Sequence, residues 1–338
     1  MWSSVLEWLP ASVRGVLAEL PADLTGRSEE IRIREGRPLE VVFAGGFAFV
    51  SAGGRLTNDP SDAFLPTRDD CVKLLDRVTN HSLYTMEEQL RRGYITVPGG
   101  HRIGLSGRAV LEKGQVRSLK EIGGFNIRIA REVRGAARSL LPYLWDGGGA
   151  LHHTLIISPP GRGKTTLLRD TARLLATGAA GRDGHTAGTF RSPPARKVGI
   201  VDERSEIAAC FGGRPTFDVG HRTDVLDACP KAEGMMMMIR SLSPEVLVVD
   251  EIGRPEDTAA VQEALHAGIS VVATAHGREF GDVRRRPSLA PLFEERVFSR
   301  IVTLRGSGPT GSIQSICDGD GRAVRALYAM PGAESAEA

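Results

Sequence analysis

The chain is short of most features that mark a special environment. Its 338 residues include four cysteines, Cys71, Cys210, Cys229 and Cys317. They are scattered with no C-x-x-C pair, which argues against a disulfide framework or a zinc ribbon and fits reduced thiols. Aromatic residues make up 5% of the chain, and no aromatic stripe is interleaved with basic ones. The net charge is +2, from 43 basic and 41 acidic side chains. Nothing in that balance asks for nucleic acid, which is therefore not expected as a partner. Long apolar runs are missing as well: residues 41–50, the longest, are about half of what a bilayer span requires and are interrupted by Gly45 and Gly46. The opening MWSSVLEWLPASV has neither the basic region nor the apolar core of a secretory signal. No direct membrane span is expected, so the chain reads as cytoplasmic and any link to a membrane must run through a partner.

What is present is an ordinary globular composition, 41% apolar and 25% charged, in a length that suffices for two domains with separate cores. The strongest signal is residues 155–170, LIISPPGRGKTTLLRD. A β-branched run breaks at Pro159-Pro160, passes through Gly161-Arg162-Gly163 and enters a helix led by Lys164, Thr165 and Thr166. Strand, glycine turn and helix in that order aim backbone N–H groups and the positive end of the helix dipole at one point, a cage for a polyphosphate. Pro160, Gly161, Arg162, Gly163, Lys164, Thr165 and Thr166 are thus the candidate nucleotide-binding residues. Lys164 suits the β and γ phosphates, and the Thr165 hydroxyl suits Mg²⁺. The usual first glycine of the pattern is replaced by Ser158.

Upstream, residues 1–20 read as two helical pieces split by Pro10. In EIRIR, Ile31 and Ile33 point one way while Arg32 and Arg34 point the other, as in a half-buried strand. Thr67 caps a helix whose apolar face is expected at Val72, Leu75 and Val78. A second helix is expected over 85–92, ended by Gly93. Residues 94–97 and 101–111 form a hairpin candidate, followed by GQVRSLKEIGG and the strand-like FNIRIAREV. Arginines crowd these strands. Each is either part of a solvated face or a guanidinium able to reach a γ-phosphate across a boundary between domains or subunits. The domain limits are expected at 1–135, with a linker over 136–149, a second domain over 150–330 and a disordered tail over 331–338.

In the second domain, residues 178–197 read as a surface insertion rich in Gly, Ser and Pro. VGIVDERSEI is a short buried strand ending in Asp202 and Glu203, which serve either as ligand contacts at a sheet edge or as an ordinary helix start. KAEGMMMMIRSL, with its four consecutive methionines, reads as a buried helix or as a contact between subunits. PEVLVVDEIGR places Asp250 and Glu251 at the end of a buried strand. One carboxylate there can hold Mg²⁺ and the other can polarise an attacking water, which favours a hydrolytic ATPase over a kinase or a GTP switch. SVVATAHG ends at His276, either a structural histidine or a γ-phosphate sensor.

The strings EIRIREGRPL, GYITVPGGHRIGLSGRAV, FNIRIAREV, PPGRGKTTLLRD, VGIVDERSEIA, DVGHRTDVLD, KAEGMMMMIRSLSPEVLVVDEIG and VVATAHG, spread over residues 25–330, resemble the stage III sporulation protein AA family. That family is similar to the hexameric ATPases of type II and type IV secretion. The resemblance implies an α/β fold: a RecA-like P-loop NTPase core, its parallel sheet flanked by helices, plus a smaller N-terminal α+β domain. It implies ATP and Mg²⁺ as cofactors, with Thr165 and Asp250 handling the metal and Glu251 as the catalytic carboxylate. Asp202 and Glu203 would match the acidic box and His276 the histidine box, with Lys164, Arg102 and Arg128 as further phosphate contacts. It also implies a homo-oligomer, a hexameric ring, that works with membrane proteins of a channel complex between mother cell and forespore. Two other readings stay open: a nucleotide-binding scaffold that hydrolyses little, and a nucleic-acid motor.

Overall fold

A computed structural model of the chain describes residues 2–43, 45–79, 90–91, 93–112, 114–146, 148–178, 194–306 and 311–324. Apart from Leu90 and Arg91, the helix expected over 85–92 lies outside the described residues, as do the 331–338 tail and most of the 178–197 insertion. The chain divides into two compact units, Met1–Arg131 and Glu132–Ala338.

The first unit begins with three short helices, α1 (Trp2–Leu6), α2 (Ala11–Ala18) and α3 (Ala22–Arg27). Pro10 separates the first two, since it has no N–H to continue a helix but suits the entry to the next one. An antiparallel sheet follows, built from β1 (Ser28–Arg34), β2 (Glu40–Phe43), β3 (Gly46–Val50), β4 (Leu56–Thr57), β5 (Tyr94–Val97), β6 (His101–Glu112) and β7 (Gln115–Arg128) in the order β4-β3-β2-β1-β7-β6-β5. Ile31 and Ile33 are fully buried with Leu9, Leu17 and Ile127. Arg32 pairs with Glu30 at 3.5 Å and Arg34 with Glu40. The period of two therefore separates core from ion-paired face as expected.

Helix α4 (Arg68–Val78) carries a capping box: the Asp70 N–H donates to Thr67 Oγ1 at 3.2 Å and the Thr67 N–H to Asp70 Oδ2 at 2.8 Å. Its buried face differs from the expected one. Cys71, Leu74 and Val78 are buried, whereas Val72 is 45% exposed. Two apolar stripes were available at helical spacing, and packing against β7 selects the one that includes the cysteine. The glycines of KEIGGF lie inside β7 and do not end it. At the bulge opposite, a Cβ on Gly107 would come within 2.6 Å of the Lys120 carbonyl, so the close approach of the two strands requires its absence.

The second unit holds a seven-stranded sheet among its described residues: β8 (Thr154–Ser158), β9 (Val198–Asp202), β10 (Thr223–Asp227), β11 (Val246–Val249), β12 (Ser270–His276), β13 (Arg300–Leu304) and β14 (Ile313–Cys317), in the order β10-β9-β11-β12-β8-β13-β14. All neighbours are parallel except β13 and β14. Strands β8, β9, β11 and β13 are buried along their whole length. That is why they read as unbroken apolar runs and not as alternation. Edge strand β10, with Asp224 and Asp227, has no such run and was missed in the sequence. The flanking helices are α5 (Lys164–Thr177), α6 (Lys231–Ser241), α7 (Pro255–His266), α8 (Phe280–Arg284) and α9 (Ala290–Glu294). Residues 136–149, expected as a linker, bury Ala137, Leu140, Leu141, Leu144 and Trp145 in one core cluster with Ile156 and Leu168. The Ala137 N–H donates to the Asp170 carboxylate at 2.8 Å, and Arg300 donates to the Tyr143 carbonyl at 2.7 Å.

Candidate functional site

The sheet order sets β8, β12 and β11 side by side, so the residues at their carboxyl ends form one row. In open parallel sheets this is the edge where ligands bind. After β8 the chain turns through Gly161 and Gly163, whose φ values of 71° and 87° fall in the left-handed region that glycine enters without strain. Ser158 is the last residue of the strand, so the substitution of the usual glycine falls where no left-handed backbone is needed. Gly163 caps α5 and brings no side-chain acceptor. The amide groups of the first turn, through Thr165 and Thr166, are left uncapped by any side chain. Pro160 is exposed at the loop tip, and the Arg162 carbonyl accepts the Gly311 N–H at 3.0 Å.

Lys164 lies folded back under this loop, 7% exposed. Its ammonium donates to the Ser158 and Pro159 carbonyls at 2.9 and 3.0 Å and to His276 Nδ1 at 3.0 Å. Burial holds its pKa below the ordinary lysine range, while Asp250 and Glu251 act in the opposite direction. Because Nδ1 of His276 accepts from an ammonium, the ring hydrogen sits on Nε2, which lies 3.1 Å from Glu251 Oε1. Glu251 in turn receives Arg204 through two nitrogens, at 2.7 and 3.4 Å. Lysine, histidine, glutamate and arginine thus form one continuous chain of polar contacts.

Asp250 and Thr274 brace that chain. The Thr165 hydroxyl donates to Asp250 Oδ2 at 3.1 Å, and the buried Thr274 hydroxyl donates to Oδ1. Thr274 also accepts the Glu251 N–H at 2.8 Å. Glu251 has a φ of 54°, a left-handed conformation that costs a non-glycine residue about 1–3 kcal/mol and is held by this bracing. Thr165 and Asp250 together offer a hydroxyl and a carboxylate oxygen. That fits Mg²⁺, which keeps several waters and takes the rest of its ligands from substrate phosphates.

The other expected residues have partners of their own. Glu203 pairs with Lys231 at the start of α6. Asp202 is 1% exposed and accepts the N–H groups of Glu206, Ile207 and Ala208, each at 2.9 Å. Burial raises its pKa to about 6 against the pull of those bonds. It holds a turn together. In the first unit, Arg102 and Arg128 face each other across β6 and β7. Arg102 stacks on Tyr94 with 3.8 Å between guanidinium and ring centre, and Arg128 pairs with Glu30 at 3.2 Å. Arg204 and Thr274 were not singled out in the sequence. Arg204 stands next to the acidic pair at the end of β9, and its position there was the signal available.

A family model described as "Sporulation stage III, protein AA" matches residues 3–324. Stage III sporulation protein AA of Bacillus subtilis (strain 168) is 48% identical over 323 residues, covering 95% of this chain and 97% of that protein. Among solved structures, the pilus retraction motor PilT with bound ADP aligns at a TM-score of 0.53 and 13% identity, covering 87% of this chain and 77% of that one. The Yersinia pseudotuberculosis ATPase DotB aligns at 0.50 and 12%, covering 82% and 70%. At such identities the likeness is one of fold, and it bears out the RecA-like α/β architecture expected from the sequence. With a family model spanning nearly all its length and a full-length relative at close to half identity, the chain belongs to the stage III sporulation protein AA family.

Proposed function

We propose that the chain is a Mg²⁺-dependent ATPase that works as a homo-oligomeric ring, a hexamer, and drives assembly of, or transport through, a channel complex between mother cell and forespore. The observation that carries this reading is the row Lys164, His276 and Glu251 across three adjacent strand ends, beneath an uncapped helix start. Entry of the triphosphate replaces the carbonyl and imidazole acceptors on Lys164, and its ammonium and the amides of α5 then hold the phosphates. Glu251 orients a water and takes its proton as the water oxygen bonds to the γ-phosphorus. The bond to the β–γ bridging oxygen breaks, leaving ADP and phosphate. Bound Mg²⁺, held by Thr165 and Asp250, supplies positive charge to the phosphate oxygens. Arg102 and Arg128 enter as candidate phosphate contacts, and Glu203 as a support to the acidic segment.

A scaffold that binds ATP and hydrolyses little is favoured by one observation: Glu251 is already engaged by the Arg204 fork. Steady-state phosphate release over a protein concentration series separates the two. Turnover per chain that rises with concentration and vanishes in Glu251→Gln is the expected result. Equal, negligible release from both proteins, with ATP still bound, supports the scaffold.

A further inference from the structure

The methionine helix has an outer side that the nucleotide reading does not use. Between α6 and α7 runs an open groove of about 650 Å³, whose apolar lining is Ala232, Met236, Ala259 and Ala260. Four carboxylates line it, Glu233 on α6, Glu256 and Glu263 on α7, and Glu295 after α9, against one imidazole, His266. All four are exposed, and among the described residues none forms an ion pair with Lys or Arg; Glu295 accepts only the Gln262 amide, at 2.7 Å. No Lys or Arg lines the groove. These carboxylates do not gather into a metal site either, since no group of three metal-capable side chains occurs among the described residues.

We propose that this groove docks a cationic amphipathic helix of a partner protein. Small alanines between two helices leave a trough into which a third helix can set its apolar ridge. Met236 adds an unbranched, polarizable side chain that adapts to varied shapes. Glu256 and Glu263 are seven residues apart, two helical turns or about 10 Å. Lysines or arginines two turns apart on the docked helix meet them in register. The occupant is not a helix of a second copy: on α4, which leaves Val72 exposed among basic residues, Arg68 is already paired with Glu35 and Lys73 with Asp69. The densest run of Lys or Arg, Arg284 to Arg286, begins on the last residue of the five-residue α8, whose Val283 is already buried.

The test uses the full chain and a synthetic Leu/Lys peptide with leucines at helical spacing, followed by fluorescence anisotropy. Its controls are a scrambled peptide of equal composition and a Leu/Glu counterpart. Glu256→Lys with Glu263→Lys changes only exposed positions. The Leu/Lys peptide is expected to bind at least about tenfold more tightly to the parent than to the double variant, and its affinity is expected to fall with added salt. The Leu/Glu peptide is expected to show the reverse preference, which keeps the result independent of any loss of folding. Equal binding to both proteins, no binding, or equal binding of the scrambled peptide overturns the proposal. So does a double variant whose oligomeric state differs from the parent's, because the occupant is then a second copy.

Discussion

The two sheets bury their charges in opposite senses. In the antiparallel sheet of the first unit the charged residues of β1 stay on one face, paired with neighbours, and the group that is buried is a neutral base. His101 is fully buried, accepts the Ala130 N–H on Nδ1 at 3.1 Å and faces Ser4 with Nε2 at 3.0 Å. Burial lowers its pKa to about 4. In the parallel sheet of the second unit both faces are covered, and the most deeply buried charged side chain on its strands is an acid, Asp202, 1% exposed and raised to about 6. A sheet with one free face can send its charges there. A sheet with none must place them at strand ends, which is where Asp202, Asp250 and Glu251 lie. That edge of the second sheet is therefore the place to look for chemistry.

The comparison breaks most sharply at the strand ends. Lys164→Ala or Glu251→Ala is expected to lower phosphate release by about 10²–10⁴-fold, while Glu251→Gln still binds ATP. Turnover within a few-fold of the parent in both alanine variants would sink the mechanism. One level down, Ile156→Ala in the doubly covered β8 is expected to cost about 2–5 kcal/mol. Arg128→Ala on the paired face of the first sheet is expected to cost less than about 1 kcal/mol. Denaturant midpoints compare the two, and equal shifts would erase the distinction between covered and free faces.

Acid sharpens the comparison further. The folded value of His101 lies below its free value of 6.5, so its share of stability is complete above that pH and is lost as pH falls toward about 4. The loss is about 3 kcal/mol, and His101→Gln should flatten it. For Asp202 the sign reverses. Its folded value lies above the free 3.8, so its share is complete below that pH and is lost as pH rises through about 6. Hydrogen exchange read strand by strand between pH 4 and pH 6.5, corrected for intrinsic rates, should show the first unit loosening on acidification and Asp202→Asn removing an opposite trend around β9. The smallest effect belongs to position 158. Ser158→Gly should change ATP affinity by less than about threefold, because position 158 is extended, whereas Gly163→Ala at φ 87° should cost about 1–2 kcal/mol in a thermal melt.

Much of the architecture was legible because each sheet wrote its own period. Ile31 and Ile33 alternate with arginines, and β8, β9 and β11 read as solid apolar blocks. The phosphate loop was legible because glycine at 161 and 163 is demanded by local backbone geometry. What did not show was which of two apolar stripes α4 buries, that 137–145 packs into a core, and that β10 pairs at an edge. Each depends on the partner surface and not on the segment.

The same division holds at the candidate site. The sequence by itself determined the strand-turn-helix around Lys164, the acidic end of β11 and the histidine end of β12, since these follow from local propensity and side-chain chemistry. Only the tertiary structure decided that β12 lies between β8 and β11. That order puts His276 within hydrogen-bonding distance of Lys164 on one side and Glu251 on the other, ties Glu251 to Arg204 and turns Glu203 toward Lys231. Strand order is a property of how whole elements pack, and no window of residues encodes it.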